Sequence, residues 1–294
     1  MNRSEKIKVS IIMNCYNGER FLKESLDSVI RQEFKNWELI FWDNRSNDKS
    51  ADILYSFKEE RFKYYLAENH TTLHLARNLA LKKTSGNFIT FLDTDDFWEK
   101  DKLKLQIKTF EQNKDINCVY SKFWIKYNNS IFPNKLITFT KLPTGDIFKN
   151  LINKYNFSFG SLMVKRNCLN NFPNVFDTKI NYISDFDFTL KLAKKNKFLC
   201  VQKPIYTCRK HKKNFSNNIL KDQAYQFENW MIQNKEECFF SENEYNKLLK
   251  HLNYMKVKAK IKESNFIETI KVIFSQPLKI SSIKLLFFYF FKEF

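Results

Sequence analysis

Asn87-Phe88-Ile89-Thr90-Phe91-Leu92-Asp93-Thr94-Asp95-Asp96 decides how this chain is read. Five of the first six residues suit a buried strand, and three carboxylates then arrive within four residues. Crowded acids repel and raise one another's pKa. A chain with 50 Lys and Arg against 32 Asp and Glu has no general need for acid at one point. The simplest account is a cation, either a metal or a basic side chain, held where the strand ends.

Upstream, the pattern alternates. Lys8 to Met13 is a β-branched apolar run that reads as a buried strand, and Asn14-Cys15-Tyr16-Asn17-Gly18 is turn chemistry. Glu19 to Gln32 carries Phe21, Leu22, Leu26, Val29 and Ile30 at helical spacing. Trp37 to Trp42 reads as a second strand, broken by Asp43-Asn44-Arg45-Ser46-Asn47-Asp48, with a helix after it capped by Asp48 or Ser50. Phe62 to Leu66 is a third strand, and Leu73 to Lys83 a helix ended by Ser85-Gly86. This βαβαβαβ order predicts a parallel, doubly wound sheet of Rossmann type. Ligands of such sheets bind beyond the carboxyl ends of the strands. Tyr16-Asn17, Asp43 to Asp48 and Asp93 to Asp96 all fall at those ends and are expected on one face. No GxGxxG follows the first strand and no GxxxxGK[ST] occurs, so the dinucleotide and P-loop fingerprints are absent.

Downstream, the pattern loosens. Lys100 to Gln112 reads as a helix; Asn117 to Lys126, Ser130 to Phe139 and Phe159 to Val164 read as strands. Tyr182 opens a helix running to about Lys195, and Phe198 to Thr207 is a strand ending at Cys208-Arg209-Lys210-His211. From Asn217 the chain reads as helical, basic and aromatic. The expected organisation is a catalytic domain over 1–216, in halves 1–98 and 99–216, and a helical C-terminal extension over 217–294.

Composition sets the outer bounds. The 294 residues are 43% hydrophobic with only 4 Gly and 5 Pro, which excludes a disordered or low-complexity chain. The net charge of +18 favours anionic partners: nucleic acid, an acidic membrane surface or phosphorylated substrates. No zinc-finger spacing or RNP-like motif is present, so nucleic acid is the weaker of these. Six Cys occur without a CxxC, which suits free thiols in a reducing cytosol. The N-terminus has no signal-peptide pattern, and no run reaches the roughly 18 apolar residues of a spanning helix.

The order of these motifs resembles the family 2 glycosyltransferases, which have the GT-A fold. The resemblance runs over roughly residues 7 to 216. It rests on Val9 to Asn17, Asp43 to Asp48, Ala76-Arg77-Asn78 with Ser85 to Phe88, Leu92 to Asp96, Ser184-Asp185 and Arg209-Lys210-His211. It implies that Tyr16, Asn17 and Glu19 line the nucleotide pocket of a sugar donor. Asp43 matches the first acid of the family's Asp-Asp-Gly-Ser-x-Asp loop, which contacts the base; here Asn44 replaces the second acid and Arg45 the glycine. Asp93 and Asp95 match the DxD motif, with Asp95 on a metal and Asp93 by the ribose or the metal's shell. Asp96 would orient its neighbours. Asp185 matches the catalytic base, although Ser184 stands where Glu is common. His211 matches a histidine that reaches the metal or diphosphate.

Each assignment has a plainer counterpart. The acid cluster could be a solvated turn with Asp95 or Asp96 capping a helix. Asp185 or Asp187 could cap the helix that follows. Arg77 could touch the diphosphate, or pair with Asp43, Asp93 or Glu68. His211 could be a surface histidine in a basic loop. His70 and His74, four apart, read as a loop and helix start rather than a chelate. Ile280 to Phe291, preceded by Lys256, Lys258, Lys260 and Lys262, suggests a peripheral anchor on an anionic leaflet, or else a helix packed on the protein.

The expectation is an inverting, Mn²⁺- or Mg²⁺-dependent transferase. It would move a sugar from a nucleotide-diphosphate sugar, UDP-linked, to a glycan or lipid-linked acceptor of a cell-surface polysaccharide. It is expected in the cytoplasm or peripherally on the inner face of the membrane. Two alternatives stand beside it: a non-catalytic binder of nucleotides or anionic glycans, suggested by Asn44, Arg45 and Ser184, and a nucleic-acid binder resting on charge alone.

Overall fold

The computed structural model describes residues 8–128, 135–136, 140–170, 172, 174–211, 214, 219–264 and 266–274. They fall into two compact units. One holds the described residues up to Leu151 and from Tyr155 to Arg209; the other holds Ile152–Lys154 and the described residues from Lys210 onward. The division comes within the last strand, where composition had suggested a boundary near 216.

The first unit begins with the expected alternation: β1 (Val9–Cys15), α1 (Glu19–Ile30), β2 (Trp37–Asp43), α2 (Ser50–Ser56), β3 (Phe62–Leu66), α3 (Leu73–Leu81) and β4 (Phe88–Phe91). β1 and β2 are buried along almost their whole length, which is why they read as continuous apolar runs. β1 pairs in parallel with β2 on one side and β4 on the other, and β2 pairs in parallel with β3. α1 lays Leu22, Leu26 and Val29 into the core, each fully buried. Such burial is worth about 1.5–3 kcal/mol per side chain.

After the acids come β5 (Phe97–Trp98), α4 (Lys102–Gln112), β6 (Cys118–Tyr127), β7 (Lys135–Leu136), β8 (Met163–Lys165), α6 (Ser184–Lys195) and β9 (Phe198–Lys210); the short α5 (Phe148–Asn153) lies between β7 and β8. The sheet order is β3-β2-β1-β4-β8-β6-β9-β5, with β7 against β6. The sheet is therefore mixed. β8 is antiparallel to both β4 and β6, and β5 is antiparallel to β9. One sheet runs through both the 1–98 and the 99–216 portions.

Two local expectations change, and a third lies mostly outside the described residues. Phe159–Ser161 is a 3₁₀ turn rather than the start of a strand. A Cβ on Gly160 would lie 2.5 Å from the Tyr206 ring, so the chain passes that ring at a glycine. The acids lead into β5 instead of capping a helix, and α4 starts later, behind Asp101. Of the strand expected over Ser130 to Phe139, only Lys135–Leu136 is described, paired antiparallel with β6.

The second unit carries α7 (Leu220–Glu236), α8 (Glu242–Glu263) and α9 (Phe266–Phe274). Ser241 and Glu244 close a reciprocal capping box at the start of α8. Phe227 and Trp230 of α7 stack at 5.6 Å, and Phe227 meets His251 of α8 at 5.7 Å. No described helix is long and apolar enough to cross a membrane. The tail from Ile280 to Phe291 lies outside the described residues.

Candidate active site

The parallel register brings the ends of β1, β2 and β4 side by side, so the three polar clusters meet as expected. The first two are stitched together. The Asn17 amide donates to Ser46 Oγ (3.0 Å), and Asn17 Oδ1 accepts from the Asn47 amide (2.9 Å). Glu19 Oε2 accepts from the Lys49 amide (3.0 Å). Asp48 accepts from the amides of Glu19 (2.9 Å) and Ser50 (3.0 Å), so one carboxylate serves the N-termini of α1 and α2. Burial pushes the Asp48 carboxyl up, but the Ser50 hydroxyl and these amides together hold it below the usual range.

Asp43 turns inward and is only 2% exposed. Its Oδ1 accepts from the Ser46 amide (2.7 Å) and its Oδ2 from the Tyr64 hydroxyl (2.8 Å). The carboxylate expected on a nucleobase is thus held in place by its own loop and by β3, with one hydrogen bond to each oxygen. Its neighbours explain their departures from the family pattern. Asn44 Nδ2 donates to the Thr71 carbonyl (2.7 Å), while Asn44 Oδ1 accepts from the Thr71 amide (3.1 Å). Only an amide can donate and accept in this way; an ionised aspartate accepts only. Arg45 keeps the left-handed backbone, φ 70°, that a glycine would favour. Its guanidinium donates to the Glu68 carbonyl. Tyr16, 54% exposed, lies against the His70 ring with centroids 4.2 Å apart.

Arg77 organises the second half of the site. Its guanidinium is buried against the rings of Phe159 and Phe176, 4.7 and 5.5 Å from their centroids. One arm donates to Asp93 Oδ1 (3.2 Å) and the other to Asp185 Oδ1. The ion pair with Asp93 that one reading of Arg77 allowed is seen, together with a second to Asp185, 108 residues further along the chain. The Asp93 and Asp185 side chains are 44% and 41% exposed. Asp93 is partly open to solvent, with enough protein around it for burial to act on its carboxyl. Burial pushes its carboxyl up; Arg77 pulls it back, and Asp95 and Asp185 push it up again.

That balance bears on a cation. Asp95 and Asp185 both act on Asp93, and Arg77 is the counter-charge of Asp93 and Asp185. Among the described residues no three His, Cys, Asp or Glu side chains form a cage of their own. The set fits a hard divalent ion held by one or two carboxylates and completed by phosphate oxygens, as is usual for Mg²⁺.

Asp96 is buried and faces away from solvent. It accepts from the Tyr206 hydroxyl and from the Arg209 amide (2.8 Å), tying the acid loop to β9. Burial, with Asp95 and Asp93 adding to it, pushes its carboxyl well above the usual range. The Arg209 guanidinium donates to the Asp95 carbonyl (2.8 Å) and to Glu24 of α1. The Ser25 hydroxyl of α1 lies against the carbonyls of Asp93, Thr94 and Asp96. The sequence reading missed Ser25, Tyr206 and Glu24. None stands in a motif, and each matters only through a contact across the fold.

Asp185 lies in the first turn of α6 behind Ile183, so its carboxylate serves Arg77 while its position suits the helix dipole. Asp187 is buried and pairs with Lys191 at 2.8 Å. His74 is buried and its Nε2 donates to the Asn181 carbonyl (2.7 Å), so His70 and His74 form no chelate. His211 belongs to the second unit, where its amide donates to Asn214.

Comparison with known proteins follows the same lines. The profile described as "Glycosyl transferase family 2" matches residues 10–170, more than half of the chain. The chain is 36% identical over 164 residues to the Escherichia coli "UDP-Glc:alpha-D-GlcNAc-diphosphoundecaprenol beta-1,3-glucosyltransferase WfgD", covering 51% of this chain and 64% of that protein. The match thus spans less than two thirds of the E. coli relative. It is 28% identical over 248 residues to the uncharacterized glycosyltransferase MJ1057 of Methanocaldococcus jannaschii, covering 82% and 84%. Among solved structures, S. aureus TarS 1–349 in complex with UDP-GlcNAc superposes with a TM-score of 0.69 at 19% identity, covering 98% of this chain and 88% of that one. At that identity the likeness shows the fold, which is the GT-A arrangement.

Proposed function

The chain belongs to glycosyl transferase family 2, and from that premise we propose that it moves a sugar from a UDP-sugar to a lipid-linked or glycan acceptor, with inversion, in building a cell-surface glycan. The E. coli relative, named for a UDP-glucose donor and a diphosphoundecaprenol-linked acceptor, supports both choices. So does the UDP-GlcNAc complex of TarS. The observation that carries the reading is the Arg77 bridge, which sets Asp185 beside the DxD acids.

In this reading the acceptor hydroxyl attacks the anomeric carbon from the face opposite the diphosphate. The bond from that carbon to the diphosphate oxygen breaks, and its electron pair leaves on UDP. Asp185 takes the hydroxyl proton as general base. Asp95 would hold Mn²⁺ or Mg²⁺, which when bound neutralises charge on the departing diphosphate. Asp93 would sit by the ribose or the cation's water shell, oriented from below by Arg77. Tyr16, Asn17 and Glu19 would frame the nucleotide. The role given to His211 rests on the resemblance alone. A peripheral place at an anionic membrane face would bring a lipid-linked acceptor within reach.

The non-catalytic alternative loses two of its three supports, because Asn44 and Arg45 have structural work in this loop, and keeps only Ser184. Two variants test the reading with a panel of UDP-sugars and Mn²⁺. Asp185→Asn should abolish turnover while keeping UDP binding, and Asp95→Asn should lose the Mn²⁺-dependent part of that binding. Full turnover by Asp185→Asn would remove it as the base.

A further inference from the structure

Arg77 is not the only residue of α3 that reaches the chain around Asp185. His74, Arg77 and Asn78 lie three and four residues apart, on one face of the helix. All three are buried, and each holds a point on the stretch from Phe176 to Asp185. Asn78 grips its start both ways: Nδ2 donates to the Phe176 carbonyl (2.7 Å) and Oδ1 accepts from the Phe176 amide (3.0 Å). Arg77 holds its end through the Asp185 carboxylate. His74 holds the middle, where Nε2 donates to the Asn181 carbonyl (2.7 Å).

The middle is where a tie matters. Residues 177–183 form no helix or strand, so no ladder of main-chain bonds fixes them. Phe176, Ile180 and Ile183 are buried, but apolar burial is non-directional. A hydrogen bond fixes a distance and an angle. Asn181 stands four residues before Asp185, so a slip of the chain at Asn181 carries into the first turn of α6.

The ring suits this one bond. A main-chain carbonyl only accepts, so Nε2 carries the proton. Nδ1 is buried and has no hydrogen-bond partner among the described residues, so no second contact competes for the tautomer. Burial pushes the imidazole pKa down and Arg77 adds to this, against the Asn181 carbonyl, Asp185 and Asp177. The ring is therefore neutral: it offers one directed donor and adds no charge beside Arg77 and Asp185. An unpaired buried acceptor costs stability, a cost that an apolar side chain at this place would not carry.

We propose that His74 is a positioning residue for the transfer step: through the Asn181 carbonyl it sets the stretch of chain that brings Asp185 to the acceptor hydroxyl. This rests on the reading of Asp185 as general base. His74 itself touches no substrate.

The test compares wild type with His74→Met and His74→Gln. Both replacements are unbranched and of similar length, and only Gln keeps an N–H donor. Turnover is followed as UDP released from UDP-glucose, UDP-GlcNAc or UDP-galactose, with Mn²⁺ and a GlcNAc-diphosphoryl lipid as acceptor. It is counted per UDP-binding site found by calorimetry, so unfolded protein does not enter. A misplacement of about 1 Å can cost about 100-fold; with Arg77 still in place, His74→Met should lower kcat about tenfold. Donor KM and UDP affinity should stay within about twofold of wild type. His74→Gln should recover most of the loss.

Full kcat per site in His74→Met overturns the inference and leaves the UDP-sugar reading standing. An equal loss in both variants overturns it too, as does a loss of UDP affinity that matches the loss of kcat, since packing alone gives either. If His74→Met does not fold, the wild-type protein still decides. Its imidazole ¹⁵N shifts should show a protonated Nε2 and a bare Nδ1, and a protonated Nδ1 overturns the inference. Wild type that turns over none of the donors overturns the UDP-sugar reading itself, and this inference with it.

Discussion

Replacing Lys102 by Met should make the pH dependence of stability measurably flatter. Lys102 opens α4 and is fully buried. Its amine donates to Thr90 Oγ1 (3.1 Å) and Gln106 Oε1 (2.8 Å), and lies 4.0 Å from the centre of the Trp98 ring. Burial pushes its pKa well below the ordinary value. An unfolded lysine titrates near 10.4. Between the lowered folded pKa and about 10.4, the unfolded chain binds a proton that the folded chain does not. Stability therefore rises with pH through that window, by up to about 1.4 kcal/mol per pH unit, and the slope vanishes below the folded pKa. Methionine removes the titration and keeps most of the volume. It leaves Gln106 Oε1 without this donor, at a cost of about 1 kcal/mol. The Thr90 hydroxyl still has the Leu162 carbonyl. Urea unfolding of both proteins from pH 6 to 10 gives the difference, in which other titrating groups cancel. Wild type should gain on the variant as pH rises, with the variant ahead at the acid end. A difference independent of pH would refute the reasoning, because Lys102 would then keep its proton in the fold.

Two further changes probe the site and its support. Arg77→Met should lower kcat about 100-fold by releasing Asp93 and Asp185 from their shared anchor, and Arg77→Lys should recover only part, lacking the two-armed fork; steady-state kinetics with Mn²⁺ check this. Gly160→Ala should destabilise by about 1–3 kcal/mol, because the added methyl meets the Tyr206 ring. An unchanged urea midpoint would show that the ring moves aside freely.

The first half of the fold was legible because its signals are local. Val9–Cys15 and Trp37–Asp43 are mostly apolar and buried on both faces, and α1 shows one apolar stripe, so strand, helix and parallel order could be read from spacing. The polar clusters at strand ends followed from that order alone. The second half was harder. Strand direction after Asp96 depends on long-range pairing, and β5 is two residues long. Phe159–Ser161 has a strand's composition, yet it turns, and its glycine packs against a tyrosine more than forty residues away.

The candidate site divides in the same way. Asp93, Asp95 and Asp185 stand out as residue types in a recognisable order. Which of them share a counter-charge could not be read from that order. Arg77 had two uses open to it, and packing under Phe159 and Phe176 selected the ion pairs. Asp43 matched a motif, but that Ser46 and Tyr64 hold its carboxylate could not be read from it.

By itself, the sequence determined the alternation of strands and helices, the parallel start of the sheet and the presence of acids at one edge. Those depend on periodicity and on residue type. Only the tertiary structure decided which acid is open to solvent, which is buried and which partner each one has. Hydrogen bonds and ion pairs between residues such as Arg77 and Asp185 or Asp96 and Tyr206 form across a hundred residues or so of chain, and no local pattern encodes them.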